Sequence, residues 1–464
     1  MFSDSTQYII STPSAVAQRK RRKKVFNILS IGFAVLAIGL VAKQWQPGEV
    51  STEQLSSLEN QPEKGVFSQL LGRNPSPSSQ PSPNIDKAFL RDALSGYIEA
   101  GEFPSQIGLN NQNLYINYTL DNDLQKWAEA RLDTYNPDYG VFVALDPDTG
   151  KILALANSRR DNQPSASLAF KATYPAASTF KIITAAAALE EGVANPNTIF
   201  SFNGKSTSLY KSQVFHPKEN KWTRRMNFKT AFAKSVNPIF GRLGAIELGA
   251  DKLLAYAQRF GFNAKFVSDF EFDNGTITLD TEDQWQAAET ASGYTRRNTL
   301  SPIHGAAIAA SIANGGKLIS PSIIESVTDA RNQVLYSSDQ PQAIQVLSEQ
   351  SAQSMQTLMN ATMKVGTGRK TFRTFHTKQK YKDVITGGKS GHLSGKEPKG
   401  SYDWFIGYGE RGTQKIAYAM LCINKEKWYV KSSKFARDAM EHFFKNRNTK
   451  ITKQPEFGQQ AETS

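Results

Sequence analysis

Apolar and polar positions along the chain predict a folded region from about Leu114 to Asn446. A short strand leads into an amphipathic helix that begins near Asp121. Two apolar runs then flank the turn sequence DPDTG within Tyr139–Asn157, a pattern typical of a β-hairpin. Helical spacing dominates from Ser178 to about Asn314. The region is therefore predicted to begin with a strand, a helix and a hairpin and to continue into a long helical segment.

The pattern returns to strands near the C-terminal end of this region. Apolar runs predict strands at Asp383–His392, Asp403–Glu410 and Lys415–Asn424, and an amphipathic helix at Lys434–Asn446. Strands at both ends of a domain can complete one antiparallel sheet. We predict an α+β fold: an antiparallel sheet whose terminal helices cover one face, while an all-helical subdomain from the middle of the chain covers the other.

An apolar segment near the N-terminus predicts contact with a membrane. Val25–Ala42 is uncharged, and its eighteen residues would span about 27 Å as a helix, close to the hydrocarbon thickness of a bilayer. The basic run Arg19–Lys24 favours a cytoplasmic N-terminal side. We predict an uncleaved single-pass anchor in the cytoplasmic (inner) membrane, with a cleaved signal peptide as the alternative. Everything after Ala42 would then lie outside that membrane.

The segment between this anchor and the folded region is poor in core-forming residues. It contains the Pro/Ser-rich sequence Asn74–Asn84 and is predicted to be an extended stalk, with a short amphipathic helix at Ile85–Ala100. The chain is thus divided into a basic cytoplasmic tail (1–24), a transmembrane anchor (25–42), an extracytoplasmic stalk (43–113), a folded domain (114–447) and a disordered tail (448–464).

Composition narrows the possible partners and cofactors. The 464 residues carry a net charge of +13, which suits an anionic polymer, an anionic lipid surface or nucleic acid. The densest basic run adjoins the predicted anchor and the other cations are scattered, so we expect no nucleic-acid partner. Cys422, the single cysteine, is predicted to be a small buried hydrophobe. The five histidines lack zinc-ligand spacing, and VGTG at 365–368 lacks the Lys-Ser/Thr of a phosphate loop. We expect neither a metal nor another cofactor.

The sequence YPAASTFK at 174–181 carries the first candidate chemistry. Ser178 and Lys181 are three residues apart, so they share one face of a helix. A serine hydroxyl needs an adjacent base to become a nucleophile, and an amine can be that base only when it is neutral. The pKa of Lys181 must fall by about 3 for this, at about 4 kcal/mol, and burial and a second cation nearby can lower it. The alternative is a helix cap followed by a solvated lysine, and the same spacing recurs at Ser208 and Lys211.

Two further elements strengthen the catalytic interpretation. Ser235 and Asn237 form a Ser-x-Asn element, and Lys389, Ser390 and Gly391 form Lys-Ser-Gly within a predicted strand, with glycines that permit close approach of a substrate backbone. This set of three elements, in this order, resembles the motifs of penicillin-binding proteins and serine β-lactamases. Other segments between about Leu114 and Asn446 are similar to penicillin-binding transpeptidase domains, among them VALDPDTGKILALAN, IANGGKLISPSI, VGTGRKTF and DWFIGY.

The resemblance implies a role for each motif residue. Ser178 would attack the penultimate D-Ala carbonyl of a peptidoglycan stem peptide, and Lys181 would be the base. Ser235 would relay a proton to the leaving nitrogen. Asn237 would hold the substrate amide and the Lys181 amine. Lys389 would attract the terminal carboxylate of the substrate and lower the pKa of Lys181.

The substrate-binding residues are predicted to be Ser390, Gly391 and His392. Ser390 would donate a hydrogen bond to the carboxylate, and the N–H groups of Ser178 and His392 would form the oxyanion hole. The family usually has small hydroxyl residues where His392 and Leu393 stand. The His392 ring would therefore either narrow the carboxylate end of the cleft or point away across the sheet.

The predicted function is a membrane-anchored peptidoglycan D,D-transpeptidase without a glycosyltransferase domain, a covalent target of β-lactam antibiotics. Its partners would be stem peptides, the membrane and a separate glycosyltransferase, and water in place of an amine would give carboxypeptidase activity. Two alternatives stay open: a serine β-lactamase, and a catalytically impaired penicillin-binding sensor or scaffold.

Overall fold

The computed structural model describes residues 85–109, 112–161, 163–338 and 342–445. The predicted cytoplasmic tail, the anchor, the stalk up to residue 84 and the predicted disordered tail lie outside the described residues. Within the described part of the chain, no helix has both the length and the apolar character needed to cross a membrane.

The described helices and strands are as follows. The helices are α1 (Lys87–Ala100), α2 (Asn122–Tyr135), α3 (Lys181–Glu190), α4 (Lys211–Phe215), α5 (Phe228–Ala233), α6 (Asn237–Arg242), α7 (Ala250–Arg259), α8 (Gln284–Ser292), α9 (Pro302–Ala313), α10 (Glu349–Lys364), α11 (Arg369–Thr377) and α12 (Ser432–Lys445). The strands are β1 (Gln106–Leu109), β2 (Gln112–Tyr118), β3 (Tyr139–Leu145), β4 (Ile152–Arg159), β5 (Tyr174–Pro175), β6 (Ile199–Phe202), β7 (Arg224–Asn227), β8 (Thr299–Leu300), β9 (Lys317–Ile319), β10 (Ile324–Thr328), β11 (Val334–Ser337), β12 (Ala343–Gln345), β13 (Ile385–Lys396), β14 (Lys399–Arg411) and β15 (Gln414–Asn424).

A five-stranded antiparallel sheet organises the domain. Its strand order is β13-β14-β15-β3-β4, and β15 pairs with β3 so that Ala419 lies opposite Val143. All seven residues of β3 are buried, because the strand is covered on both faces, and its sequence YGVFVAL is apolar throughout. The prediction of one antiparallel sheet completed by the two ends of the domain is confirmed. The strand β13 lies at the edge of this sheet.

Each face of the sheet is covered by a different group of helices. On one face, α2, α11 and α12 share a core with β3, β14 and β15, where the Phe435 ring lies 5.2 Å from Phe142 and 5.5 Å from Trp127. On the other face lies α9, whose twelve residues are all buried, together with the helical segment from α3 to α8. This is the predicted arrangement of the helices. Cys422 is buried within the sheet, as predicted, and burial raises the pKa of its thiol.

The predicted boundary between stalk and domain at residue 113 is wrong. The helix α1 begins after Asp86, whose carboxylate accepts a hydrogen bond from the Phe89 N–H. Its apolar face, with Leu90, Leu94 and Ile98 fully buried, belongs to the main core. Next in the chain, β1 and β2 join β10 and β11 in a separate four-stranded sheet. The amphipathic spacing of α1 was predicted, but its burial partners lie far away in the sequence.

Candidate active site

The segment around Ser178 enters from a short strand. Pro175 of β5 pairs with Thr299 of β8, and the Pro175 carbonyl accepts a hydrogen bond from Trp404 Nε1 at 3.0 Å. Ala177 has φ +51°, an uncommon backbone conformation for a residue with a side chain. Ser178 then lies in a 3₁₀ turn, Ala177–Phe180, and α3 begins only at Lys181. The two side chains nevertheless meet, with 2.9 Å between Lys181 Nζ and Ser178 Oγ.

The Lys181 side chain is fully buried and has three oxygen neighbours. It contacts Asn237 Oδ1 at 2.7 Å, the Ser292 carbonyl oxygen and Ser178 Oγ. Burial lowers the pKa of this amine well below its ordinary value, and the charge of Lys389 lowers it further. A neutral amine has two N–H donors and one lone pair. In that form, the Asn237 and Ser292 carbonyl oxygens can take both donors, which would leave the lone pair directed at Ser178 Oγ.

The same spacing at Ser208 and Lys211 forms no such pair. The Ser208 hydroxyl donates to the Lys205 carbonyl at 2.8 Å, and Lys211 lies over the Trp285 ring. Lys211 is exposed, whereas Lys181 is fully buried among apolar residues. The difference between the two Ser-x-x-Lys sequences is thus made by the surrounding fold.

Ser235 lies in the tight connection between α5 and α6, and Asn237 is the first residue of α6. Asn237 donates from its backbone N–H to the Ser206 carbonyl at 2.7 Å and from Nδ2 to the Thr207 carbonyl at 2.9 Å. These two bonds direct Oδ1 at Lys181. Ser235 has φ +56° and donates its backbone N–H to the Phe232 carbonyl at 2.9 Å. Backbone strain at a polar residue, here one whose hydroxyl contacts Lys389, is typical of functional sites.

Lys389 joins the third motif to the second. Its Nζ lies 2.9 Å from Ser235 Oγ and 2.8 Å from the Ser390 carbonyl oxygen, and the side chain is fully buried. Burial lowers the pKa of Lys389 to about 7. The structure therefore brings together Ser178, Lys181 and Asn237 in one hydrogen-bonded group and Ser235 and Lys389 in an adjoining one.

The remaining motif residues lie along the edge strand β13. A Cβ at Gly391 would lie 2.9 Å from Thr179 Cγ2 and 3.2 Å from the Thr179 nitrogen, so the strand backbone passes directly beside the turn that carries Ser178. Ser390 Oγ lies 2.6 Å from Thr367 Oγ1. The exposed His392 ring stacks on Trp428 with 5.2 Å between ring centroids, and its Nε2 lies 3.2 Å from Ser401 Oγ.

The contacts of His392 show which residues its ring lies against. Side chains of successive strand residues point to opposite faces, and Gly391 faces the nucleophile turn. By this alternation Ser390 and His392 share one face of the strand, and Gly391 lies on the other. The ring and Ser390 line the same cavity at this edge of the sheet, so a narrowing of the carboxylate end of the cleft by His392 stays a prediction.

Sequence reasoning missed three contributors. The Ser292 carbonyl contacts Lys181, but a backbone group has no sequence signature. Gly293 ends α8 with φ +64°, and a Cβ there would lie 1.9 Å from the Ala177 carbonyl oxygen; a glycine after a helical pattern was the available signal. Thr367 lies in VGTG, which was treated only as a connecting loop. Within the described residues, no group of three or more His, Cys, Asp or Glu side chains could hold a metal ion.

Residues 140–441 match the sequence profile of a known family, the penicillin binding protein transpeptidase domain. The match covers well over half of the chain and includes all eight predicted site residues. The chain belongs to the penicillin-binding protein transpeptidase family. Its α+β fold, antiparallel sheet and helical subdomain are those of solved members of this family.

Named relatives of this penicillin-binding protein are moderately similar to it. It is 31% identical over 334 residues to "Peptidoglycan D,D-transpeptidase PbpA" of Mycolicibacterium smegmatis, covering 64% of each chain. It is 29% identical over 282 residues to "Stage V sporulation protein D" of Bacillus subtilis, covering 56% of this chain and 42% of that protein. It thus spans less than two thirds of either relative. The crystal structure of PBPA from Mycobacterium tuberculosis matches with a TM-score of 0.58 at 25% identity, covering 70% of this chain and 81% of that one.

Proposed function

We propose that this chain is a peptidoglycan D,D-transpeptidase, a serine enzyme that cross-links stem peptides through an acyl-enzyme and that penicillin inhibits. The observation that carries the proposal is the buried Lys181 amine, 2.9 Å from Ser178 Oγ, with a pKa well below its ordinary value. Membership of the transpeptidase family and the names of the relatives support the same reaction class.

In the proposed acylation, Lys181 accepts the hydroxyl proton as Ser178 Oγ bonds to the penultimate D-Ala carbonyl carbon. Asn237 holds the Lys181 amine and the substrate amide. When the tetrahedral intermediate collapses, the C–N bond breaks, and the proton reaches the leaving D-Ala nitrogen through Ser235. Lys389, hydrogen-bonded to Ser235, attracts the terminal carboxylate of the substrate.

Backbone and hydroxyl groups of β13 complete the proposed site. The N–H groups of Ser178 and His392 stabilise the oxyanion, which is worth about 3–4 kcal/mol per donor in comparable enzymes. Ser390 donates to the substrate carboxylate. An amine from a second stem peptide then attacks the ester, returns Ser178 to its hydroxyl form and leaves a cross-link; water gives D,D-carboxypeptidase activity instead.

The proposal extends to the location and partners of the protein. The uncharged segment 25–42 with its preceding basic run supports a single-pass anchor, with the catalytic domain on the extracytoplasmic side. Stem peptides are the proposed substrates, and a separate glycosyltransferase is the proposed source of the glycan strands.

The test is intact-mass analysis of the full-length chain after exposure to penicillin, with Ser178→Ala as the paired variant. We expect a stable adduct of one penicillin per chain that is absent from Ser178→Ala. Cross-linking of a synthetic lipid-linked glycan strand then separates an enzyme from a sensor that is only acylated. Rapid turnover of nitrocefin would instead identify a β-lactamase, and absence of any adduct would overturn the proposal.

A further inference from the structure

A pair of hydroxyl groups lies at one end of the candidate active site. Ser390 Oγ of β13 and Thr367 Oγ1 of the turn after α10 are 2.6 Å apart; Thr367 is exposed and Ser390 is half-buried. Both line a cavity of about 290 Å³ that also reaches Gly391, which packs against the turn of Ser178, and the stacked rings of His392 and Trp428. This volume is at the lower end of the range of about 300–1,000 Å³ for ligand pockets, so it suits a small group such as the last residue of a peptide.

The position of Thr367 is set by contacts with the Ser-x-Asn segment. The Thr367 N–H donates to the Ala233 carbonyl at 3.0 Å, two residues before Ser235. At the preceding residue, a Cβ added to Gly366 would lie 2.2 Å from the Ala233 carbonyl oxygen, so only glycine allows this approach. The turn is therefore held against the end of α5, and the Thr367 hydroxyl bridges from the helical subdomain to the edge strand.

The two hydroxyl groups together have two O–H donors, and their mutual hydrogen bond uses only one of them. Each hydroxyl has one O–H, and only one of the two protons can lie between the two oxygens. A carboxylate has two oxygens and only accepts hydrogen bonds. If a carboxylate replaces the mutual bond, Ser390 and Thr367 can each donate to it, and both bonds are charge-assisted.

The charged side chains around the two hydroxyls also affect how well an anion would bind there. Lys389 lies behind the strand with its Nζ 2.8 Å from the Ser390 carbonyl oxygen, and Lys431 lines the cavity from the far side. One carboxylate, Asp403, lines it as well, but its Oδ2 accepts a hydrogen bond from the Ser432 N–H at 2.8 Å. One lysine, Lys431, and one hydrogen-bonded carboxylate therefore line the cavity, while the Lys389 amine lies behind the strand against Ser235.

We propose that Thr367 is a second hydroxyl ligand for the C-terminal carboxylate of the substrate, paired with Ser390. This inference rests on the proposed transpeptidase function and adds to it a residue that determines specificity. Thr367 makes the site prefer peptides that end in a free carboxylate over the same peptides ending in an amide.

The test uses the full-length chain and two synthetic stem pentapeptides, one ending in D-Ala-D-Ala and the other in its C-terminal amide. Release of the terminal residue gives kcat/KM for each peptide. We expect Thr367→Val to lower kcat/KM for the free acid about 10- to 100-fold, as for loss of one hydrogen bond to a charged group, and to change the amide little. Thr367→Ser, which keeps the hydroxyl, should retain most of the preference.

The matched control is Thr357→Val on α10, the helix that precedes the Thr367 turn. Thr357 is exposed and donates only to the Gln353 carbonyl at 3.2 Å, so its loss should change neither peptide. Because Thr367 is exposed, valine fits without overlap, and equal melting temperatures would verify that both variants are folded. If Thr367→Val leaves both peptides unchanged, or lowers both equally, the carboxylate role of Thr367 is overturned while the proposed function stands. A wild-type chain that releases no terminal residue overturns both.

Discussion

Gly293→Ala tests whether the end of α8 holds the nucleophile in place. A Cβ at residue 293 would lie 1.9 Å from the Ala177 carbonyl oxygen, 2.4 Å from the Ala177 carbonyl carbon and 2.9 Å from the Ser178 nitrogen. Real Cβ atoms do not approach closer than 3.0 Å, so the backbone before Ser178 must move by about 3.0 − 1.9 = 1.1 Å. A misplacement of about 1 Å costs about 10²-fold in rate.

Stability should fall as well, for two separable reasons. Alanine at φ +64° costs about 1–2 kcal/mol of the free energy of unfolding, and the overlap with Ala177 adds about 1–3 kcal/mol. Gly192 is the matched control, because its φ is +67° and no atom lies within 4 Å of an added Cβ. Gly192→Ala should therefore be destabilised only by the cost of alanine at a positive φ, and not by overlap with another residue.

The assay is the second-order rate constant for penicillin acylation, followed by intact mass at a temperature where melting curves show both variants folded. We expect Gly293→Ala to acylate about 10²-fold more slowly than Gly192→Ala. Equal acylation rates would refute the reasoning, because they would mean that the Ser178 turn does not depend on its contact with residue 293.

Three further predictions concern the motif residues. Lys181→Met should slow acylation about 10²–10⁴-fold, because it removes the proposed base. Lys211→Met, in the second Ser-x-x-Lys sequence, should leave the rate unchanged. Equal effects of the two substitutions in the mass assay would contradict the role of Lys181. Burial lowers the pKa of Lys389 to about 7 from an ordinary value of 10.5, so between these values the unfolded chain binds more protons and the free energy of unfolding rises with pH. Urea unfolding should show that Lys389→Met flattens this rise, and an unchanged slope would argue that Lys389 is charged in the folded state. His392→Ala should change stability by about 0.5 kcal/mol or less and leave acylation nearly unchanged, because the ring is exposed and faces Trp428; a loss of about tenfold in rate would place the ring in the cleft.

The sequence alone predicted much of the fold because the signals for the sheet are local. The apolar run of β3 and the DPDTG turn specify the hairpin. The apolar residues of β14, β15 and α12 each follow the spacing of a strand or of a helix, so each element could be predicted from its own sequence. The domain boundary was misplaced because α1 has few core-forming residues nearby in the chain. Its partners, such as Glu271, which pairs with Arg91 at 3.0 Å, come from distant segments.

The candidate site was predicted as a set of residue types, and only folding makes it a site. Ser178 and Lys181 are neighbours on any helical turn, but the same spacing at Ser208 leaves its lysine over an aromatic ring. What differs is the tertiary environment: burial lowers the pKa of Lys181, and Asn237 and the Ser292 carbonyl accept hydrogen bonds from its amine.

The sequence by itself therefore determined the secondary structure, the sheet and the identities of the reactive groups, since these depend on local periodicity and on residue chemistry. Tertiary structure decided which lysine has its pKa lowered by burial, that the His392 ring stacks on Trp428, and that Thr367 meets Ser390 across the edge of the sheet. Those outcomes depend on dielectric surroundings and on contacts between residues far apart in the chain, which no short stretch of sequence encodes.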